Sequence, residues 1–142
     1  KEIEIVVGGT GNLTLNGHYD QITTALRNLV ANAIHYSHQG TRVAIGTKQV
    51  DDFIEISVVD QGMGIPPSEL ERVFERFYRV DPSRSRETGG TGLGLAIVKH
   101  VASNHRGEIK LFSQVGRGST FTLRLPLADT NLNTENKDGN ND

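Results

Sequence analysis

Two hydrophobic periods alternate along the chain. From Gln21 to Ser37 (QITTALRNLVANAIHYS) apolar residues recur every three to four positions, which predicts an amphipathic helix, with Asp20 as its N-cap and an end near Gly40. At about 100° per residue, Ile22, Leu26, Leu29, Val30 and Ala33 fall on one side of this helix, whereas Asn28, Asn32, His35 and Tyr36 gather on another. The period then drops to two. Val43 and Ile45 share a face of a strand predicted over Arg42 to Val50, and Ile54, Ile56 and Val58 share one over Phe53 to Asp60, with Asp51 and Asp52 as the hairpin turn between them. Lys1 to Val7 alternates as a further short strand, followed by loop from Gly8 to Asn12. A second amphipathic helix is predicted over Gly92 to His105, closed by Gly107 as a C-cap. Strands over Glu108 to Ser113 and Ser119 to Pro126 follow, with Gly116 and Gly118 in the turn.

The periodicity fails in two places. Between Gln61 and Thr91 a glycine and proline opening leads to one short predicted helix, Ser68 to Tyr78, and then to a polar stretch. So little regular structure over about 30 residues is usually functional or mobile, which predicts a lid over residues 61–91. After Pro126 the sequence LADTNLNTENKDGNND has almost no large apolar groups, so residues 128–142 are expected to be a disordered tail and residues 1–127 a single domain. Segregated helices and strands predict an α+β fold, a two-layer α/β sandwich with a mixed, mostly antiparallel sheet on helices.

Composition adds exclusions. A chain of 142 residues with 35% hydrophobic and 23% charged residues is ordinary for a globular domain. No apolar run approaches the roughly 20 residues of a membrane span, and KEIEIVV is neither a signal peptide nor a natural start, so the chain reads as a fragment of something longer. The absence of cysteine excludes disulfides and thiolate metal sites, and a net charge of -2 argues against a general nucleic-acid binder.

The most chemical-looking segment is ETGGTGLGLAIV, residues 87–98, where clustered glycines open directly onto a helix. Backbone N–H groups turned toward one point, with the positive end of a helix behind them, suit a phosphate; the plain alternative is a flexible hinge. A P-loop would need G-x-x-x-x-G-K-[ST], and a dinucleotide fold would need a strand before the glycines, where this chain has DPSRSRE. A second glycine pair lies in DQGMG, Asp60 to Gly64. An aspartate at a strand end with glycines behind it can accept a hydrogen bond from an amine and leave backbone open for a flat ring, or can simply cap a turn.

In order, NLVANAIHYS, DQGMGI, FERFYR, GGTGLGLAIV and GRGSTFTLRLP resemble the N box, first glycine box, F box, second glycine box and last hairpin of the catalytic ATP-binding domain of two-component sensor histidine kinases. The wording is of the phosphate-sensing type, and the resemblance spans roughly Leu15 to Leu127. It implies that Asp60 takes the adenine amino group, that Gly62, Gly64, Ile65 and Thr120 shape the base pocket, and that Tyr36 lies against the ring. It implies backbone amides of Gly90, Gly92, Leu93 and Gly94 at the phosphates, further ATP contacts from Thr91 and Leu95, and a Mg²⁺ ligand in Asn32. Magnesium commonly takes only one or two protein oxygens, so that role is chemically apt. Arg79 would assist at the γ-phosphate. Asn28 would be a catalytic, ATP-contacting amide where the ATP-hydrolysing relatives keep a glutamate, and His35 stands where the family often has a lysine.

Glu75 and Arg79 are i,i+4 partners on the predicted lid helix, and Arg72 and Arg76 are like charges at the same spacing. The implied reaction donates the γ-phosphate of ATP to a histidine followed by an acidic residue. His18, His35, His38, His100 and His105 are followed by Tyr, Tyr, Gln, Val and Arg, so the acceptor is expected in a dimerisation segment N-terminal to this chain. The implied partners are that segment and a response regulator, with a monomeric fragment, a homodimeric full-length protein and a cytoplasmic domain of an inner-membrane-anchored receptor. Other functions stay open: an ATP-driven conformational clamp of the gyrase, heat-shock-chaperone and mismatch-repair type, and a nucleotide-binding regulatory module without catalysis or a serine kinase of the anti-sigma-factor type. A carboxamide at Asn28 cannot take a proton from water, which counts against the clamp.

Overall fold

The computed structural model describes residues 3–9, 17–78 and 93–127. In chain order these form β1 (Glu4–Gly9), α1 (Tyr19–Tyr36), β2 (Arg42–Val50), β3 (Phe53–Asp60), two 3₁₀ turns (Pro67–Glu69 and Arg72–Phe74), α2 (Gly94–Asn104), β4 (Glu108–Gln114) and β5 (Gly118–Pro126). The strands make one sheet in the order β1-β2-β3-β5-β4, with β1 parallel to β2 and the other pairs antiparallel. The fold is the α+β sandwich that the alternation predicts.

Cross-strand rows show where the core sits. Ile45, Val58, Phe121 and Leu111 lie in one row, and Thr47, Ile56, Leu123 and Ile109 in the next. On this face Ala25, Leu29 and Ala33 of α1 and Val98, Val101 and Ala102 of α2 complete a single hydrophobic cluster. The other face is polar: the hydroxyls of Ser57 and Thr122 meet at 3.0 Å, and the Arg124 guanidinium lies 4.1 Å over the Phe53 ring with Glu108 at 3.8 Å. Asp51, at φ 54, turns the β2–β3 hairpin, in keeping with the tolerance of Asp for left-handed backbone.

The helix ends depart from expectation. α1 starts one residue before Asp20, with His18 as its cap and Asp20 in the first turn, where a negative charge still complements the unpaired N–H groups. Instead of a side-chain cap, the His18 N–H donates to His105 Nε2 at 2.9 Å, tying this end of α1 to the far end of α2. At its other end α1 stops at Tyr36, four residues short of Gly40, because Ser37 turns extended and its hydroxyl donates to the Ala33 carbonyl at 2.6 Å. Gly107 is not the left-handed residue after α2. Arg106 is, at φ 61, while the Gly107 N–H donates to the Ala102 carbonyl at 2.8 Å and a β-carbon there would collide with the Arg124 carbonyl.

The helix predicted over Ser68 to Tyr78 is replaced by the two short 3₁₀ turns, and Phe77 takes a positive φ of 67. Val73 of the second turn is buried in the core and Leu70, which ends the first, packs against it, with Phe74 edge-on to Phe121 at 6.2 Å. The charge pairs expected on a helix surface change accordingly. Glu75 lies 3.8 Å from Arg72, and Arg72 and Arg76 sit over the Tyr78 and Phe77 rings. The remainder of the expected lid, and the expected tail, lie outside the described residues. Among those residues no helix is long and apolar enough to cross a membrane.

Leu29 is wholly buried and Tyr19 is 80% exposed, which separates packing from mere helix membership. Leu29→Ala is expected to lower unfolding free energy by about 2–5 kcal/mol, read as a lower urea midpoint at unchanged slope, while Tyr19→Ala stays within about 0.5 kcal/mol.

Candidate functional site

The apolar rows end in a polar one: Asp60 of β3, Ser119 of β5 and Ser113 of β4 are register partners on the helix-covered face. Asp60 is only 4% exposed. Its Oδ1 accepts the N–H of Gly62 at 2.9 Å and the N–H of Ser119 at 3.2 Å. Burial pushes the Asp60 carboxyl above the usual carboxylate range, and the two amide donors pull it partly back. Oδ2 has no hydrogen bond to any described residue, so the carboxylate keeps an acceptor for a group from outside.

Three glycines bring the surrounding segments together. A β-carbon on Gly62 would collide with the Tyr36 carbonyl, one on Gly64 (φ 78) with the Gln114 carbonyl, and one on Gly118 (φ 133) with the Asp60 carbonyl. Ser37 and Gly62 form an isolated bridge, and the Gly116 N–H donates to the Met63 carbonyl at 2.8 Å. The expectation that Gly62 and Gly64 leave backbone open for a flat ring is thus revised. Their missing side chains let the end of α1, the loop after β3 and the β4–β5 hairpin converge around Asp60.

Strand alternation decides which residue of the last strand neighbours Asp60. Phe121, Leu123 and Leu125 point into the core, so Ser119 does too, whereas Thr120 shares the opposite face with Thr122 and Arg124. Ser119, not Thr120, stands beside Asp60. Ile65, buried, is fixed through its N–H, which donates to Ser113 Oγ at 2.7 Å. Ser37, Ser113 and Ser119 are the participants the sequence reading missed, and counting the period of two back from Phe121 would have found Ser119.

The second end of the candidate site lies about two turns back along α1. Asn28 abuts the start of α2: a β-carbon on Gly94 would lie 3.7 Å from Asn28 Cγ, an ordinary contact distance. Asn28 Nδ2 is buried and, among the described residues, has no hydrogen-bond partner. An unmet buried donor costs about 1–3 kcal/mol, which makes this amide, at the N-terminus of α2, a candidate donor to an acceptor. Asn32 is half-buried one turn later, and His35 and Tyr36 meet edge to face at 4.6 Å. Leu93 caps α2 and Leu95 packs against the core. Arg79, Gly90, Thr91 and Gly92 lie outside the described residues. Tyr36 and Asn28 are eight residues apart on α1, so the two ends are separated by about 12 Å of helix.

For a divalent cation, Asn28 and Asn32 carry the hard amide oxygens on this face of α1. Among the described residues no three His, Cys, Asp or Glu side chains cluster to hold a metal by themselves. The donor set therefore fits an ion that takes most of its ligands from phosphates and water, as Mg²⁺ does.

The family model described as histidine kinase-, DNA gyrase B-, and HSP90-like ATPase matches residues 17–129. The sensor-like histidine kinase SenX3 of Mycobacterium tuberculosis is 54% identical over 88% of this chain, and the phosphate regulon sensor protein PhoR of Pseudomonas aeruginosa is 46% identical over 80% of it. The chain spans about 30% of the former's length and 26% of the latter's. Among solved structures, the mycobacterial sensor histidine kinase MprB superposes with a TM-score of 0.77 at 35% identity, covering 88% of this chain and 82% of that one. Full-length ShkA in complex with AMPPNP superposes with a TM-score of 0.75 at 29% identity, covering 89% of this chain and 26% of that one.

The raised carboxyl of Asp60 fixes the sign of a pH effect. Its folded-state value lies above the unfolded 3.8, so the site imposes no penalty below 3.8, and stability is lost as pH rises through the folded value. Asp60→Asn is expected to remove that fall, so that nucleotide-free Asp60→Asn is at least as stable as the parent at pH 7. Thermal unfolding of both proteins across pH 3.8 to 7 checks this, and a variant less stable at pH 7 would contradict it.

Proposed function

The chain belongs to the histidine kinase-, DNA gyrase B-, and HSP90-like ATPase family, and from that premise we propose that it is the Mg·ATP-binding catalytic domain of a sensor histidine kinase. The observation that carries the proposal is the pairing of two unmet polar groups on one helix-lined face. The carboxylate oxygen of Asp60 that has no partner among the described residues suits an exocyclic amine, and the amide of Asn28, likewise unpartnered among them at the start of α2, suits a phosphate. About 12 Å of α1 between them matches the reach from a base to its phosphates.

In this assignment Asp60 and Ser119 hold the adenine, with Gly62, Gly64 and Ile65 fixing the loop that places them and Tyr36 at the edge. Gly90, Thr91, Gly92, Leu93, Gly94 and Leu95 deliver the phosphates to the positive end of α2, and Arg79 balances charge at the γ-phosphate. Asn32 would hold Mg²⁺, which when bound neutralises charge on the phosphate oxygens. His35 lines the same face. The protein's share of phosphoryl transfer is positioning and charge neutralisation, for which amides, glycines and an arginine suffice.

A kinase is favoured over a hydrolysing clamp by Asn28, a carboxamide that cannot act as general base toward water. The acceptor histidine is placed outside this chain, in a dimerisation segment of the whole protein, which then passes the phosphoryl group to a response-regulator aspartate. Within the chain, His18 and His105 are already engaged with each other, at the far end of α1 from Tyr36. Residues 1–127 form the catalytic domain, monomeric by itself and homodimeric through the dimerisation segment, on the cytoplasmic side of a membrane-anchored receptor.

With γ-labelled ATP and Mg²⁺, the isolated chain is expected to release phosphate at a rate near zero and to label a supplied dimerisation segment carrying the acceptor histidine. Rapid phosphate release without transfer would favour the clamp. Asp60→Asn is expected to weaken ATP binding by about tenfold or more, the loss of one charged hydrogen bond, and Asn32→Asp to abolish transfer, both with unchanged circular dichroism.

A further inference from the structure

We infer that Ser113 is a positioning residue that keeps Ser119 a hydrogen-bond acceptor beside Asp60, and thereby sets the preference for a 6-amino over a 6-oxo purine. The inference rests on the ATP-binding role proposed above and deepens it.

Ser113 Oγ stands within hydrogen-bond distance of three groups: the Ile65 N–H at 2.7 Å, the Gly118 carbonyl at 3.1 Å and Ser119 Oγ at 2.8 Å. A hydroxyl has one proton and two lone pairs. The Ile65 amide can only donate and the Gly118 carbonyl can only accept, so the first takes one lone pair and the second takes the proton. The remaining lone pair of Ser113 then accepts the proton of Ser119. No other assignment satisfies all three contacts. Ser119, with its proton turned toward Ser113, shows only lone pairs to its surroundings.

Ser119 lies between Ser113 and Asp60 in the same cross-strand row, and its backbone N–H already binds Asp60 Oδ1. Ser119 Oγ is thus paired with Asp60 Oδ2, which has no partner among the described residues, as two acceptors contributed by adjacent members of this row. An exocyclic amine, with two N–H bonds, matches such a pair; a carbonyl oxygen in its place meets lone pairs only. Ser113 also ties the loop carrying Gly62 and Gly64 to the hairpin, 48 residues away from Ile65 in sequence. Loss of that tie alone would weaken all nucleotides alike, whereas loss of the proton direction alters the ratio between them.

The test is calorimetric titration of ATP and inosine triphosphate, in Mg²⁺, into the parent chain, Ser113→Ala, Ser113→Thr and Ser119→Ala. The parent is expected to prefer ATP. In Ser113→Ala the Ser119 hydroxyl is released to donate, and the ratio of the inosine to the adenosine Kd is expected to fall about tenfold, while Ser113→Thr retains the parent ratio. Ser119→Ala keeps the Ile65 and Gly118 bonds, is expected to lower the ratio similarly, and decides the matter if Ser113→Ala does not fold. An unchanged ratio in the folded alanine variants, whatever happens to absolute affinity, overturns the inference while leaving ATP binding intact. A parent chain that binds neither nucleotide overturns the ATP-binding role and this inference with it.

Discussion

A buried carboxylate needs donors, and the way Asp60 obtains them organises this end of the molecule. The cost of removing an unpaired carboxylate from water is large, so the N–H groups of Gly62 and Ser119 must both be brought to Oδ1. Gly62 can reach it only by lying against the Tyr36 carbonyl, and Ser119 only because Gly118 passes the Asp60 carbonyl without a side chain. The end of α1, the loop after β3 and the β4–β5 hairpin are therefore fixed by one carboxylate. Among the described residues that same group leaves Oδ2 without a hydrogen bond, and this is the acceptor on which the proposed site rests.

The rest of the sheet provides the rigidity this requires. Behind the row of Asp60, Ser119 and Ser113 the corresponding positions are Val58, Phe121 and Leu111, and then Ile56, Leu123 and Ile109. One register of an otherwise apolar face is polar. Placing a binding row at the end of a packed sheet holds its geometry through the core, while α1 spans from that row to the start of α2 at Asn28 and Gly94.

Much of this was legible in the chain. The period of two over Arg42 to Val50 and Phe53 to Asp60 matches β2 and β3 end to end, and the polar face of α1 carries Asn28, Asn32, His35 and Tyr36 as the helical period requires. What was misread depended on tertiary partners. Asp20 looks like a cap, but His105 holds the His18 amide from 87 residues away. RVFERFYR has helical spacing, yet burying Leu70, Val73 and Phe74 beside Phe121 is achieved by two tight turns. The resemblance pointed to Thr120, while the period of two, followed back from Leu125 and Leu123, puts its neighbour Ser119 on the inner face beside Asp60. The glycines were expected where they are, but which carbonyls they admit is not written locally.

The central claim is that the free oxygen of Asp60 and the amide of Asn28 mark the two ends of one nucleotide. A crystal structure of the chain with a non-hydrolysable ATP analogue and Mg²⁺ tests it most directly. The base amine is expected within about 3.2 Å of Asp60 Oδ2, with the phosphates at the N-terminus of α2 beside Asn28. A base bound away from Asp60, or phosphates bound away from the Gly94 end of α2, would contradict the account.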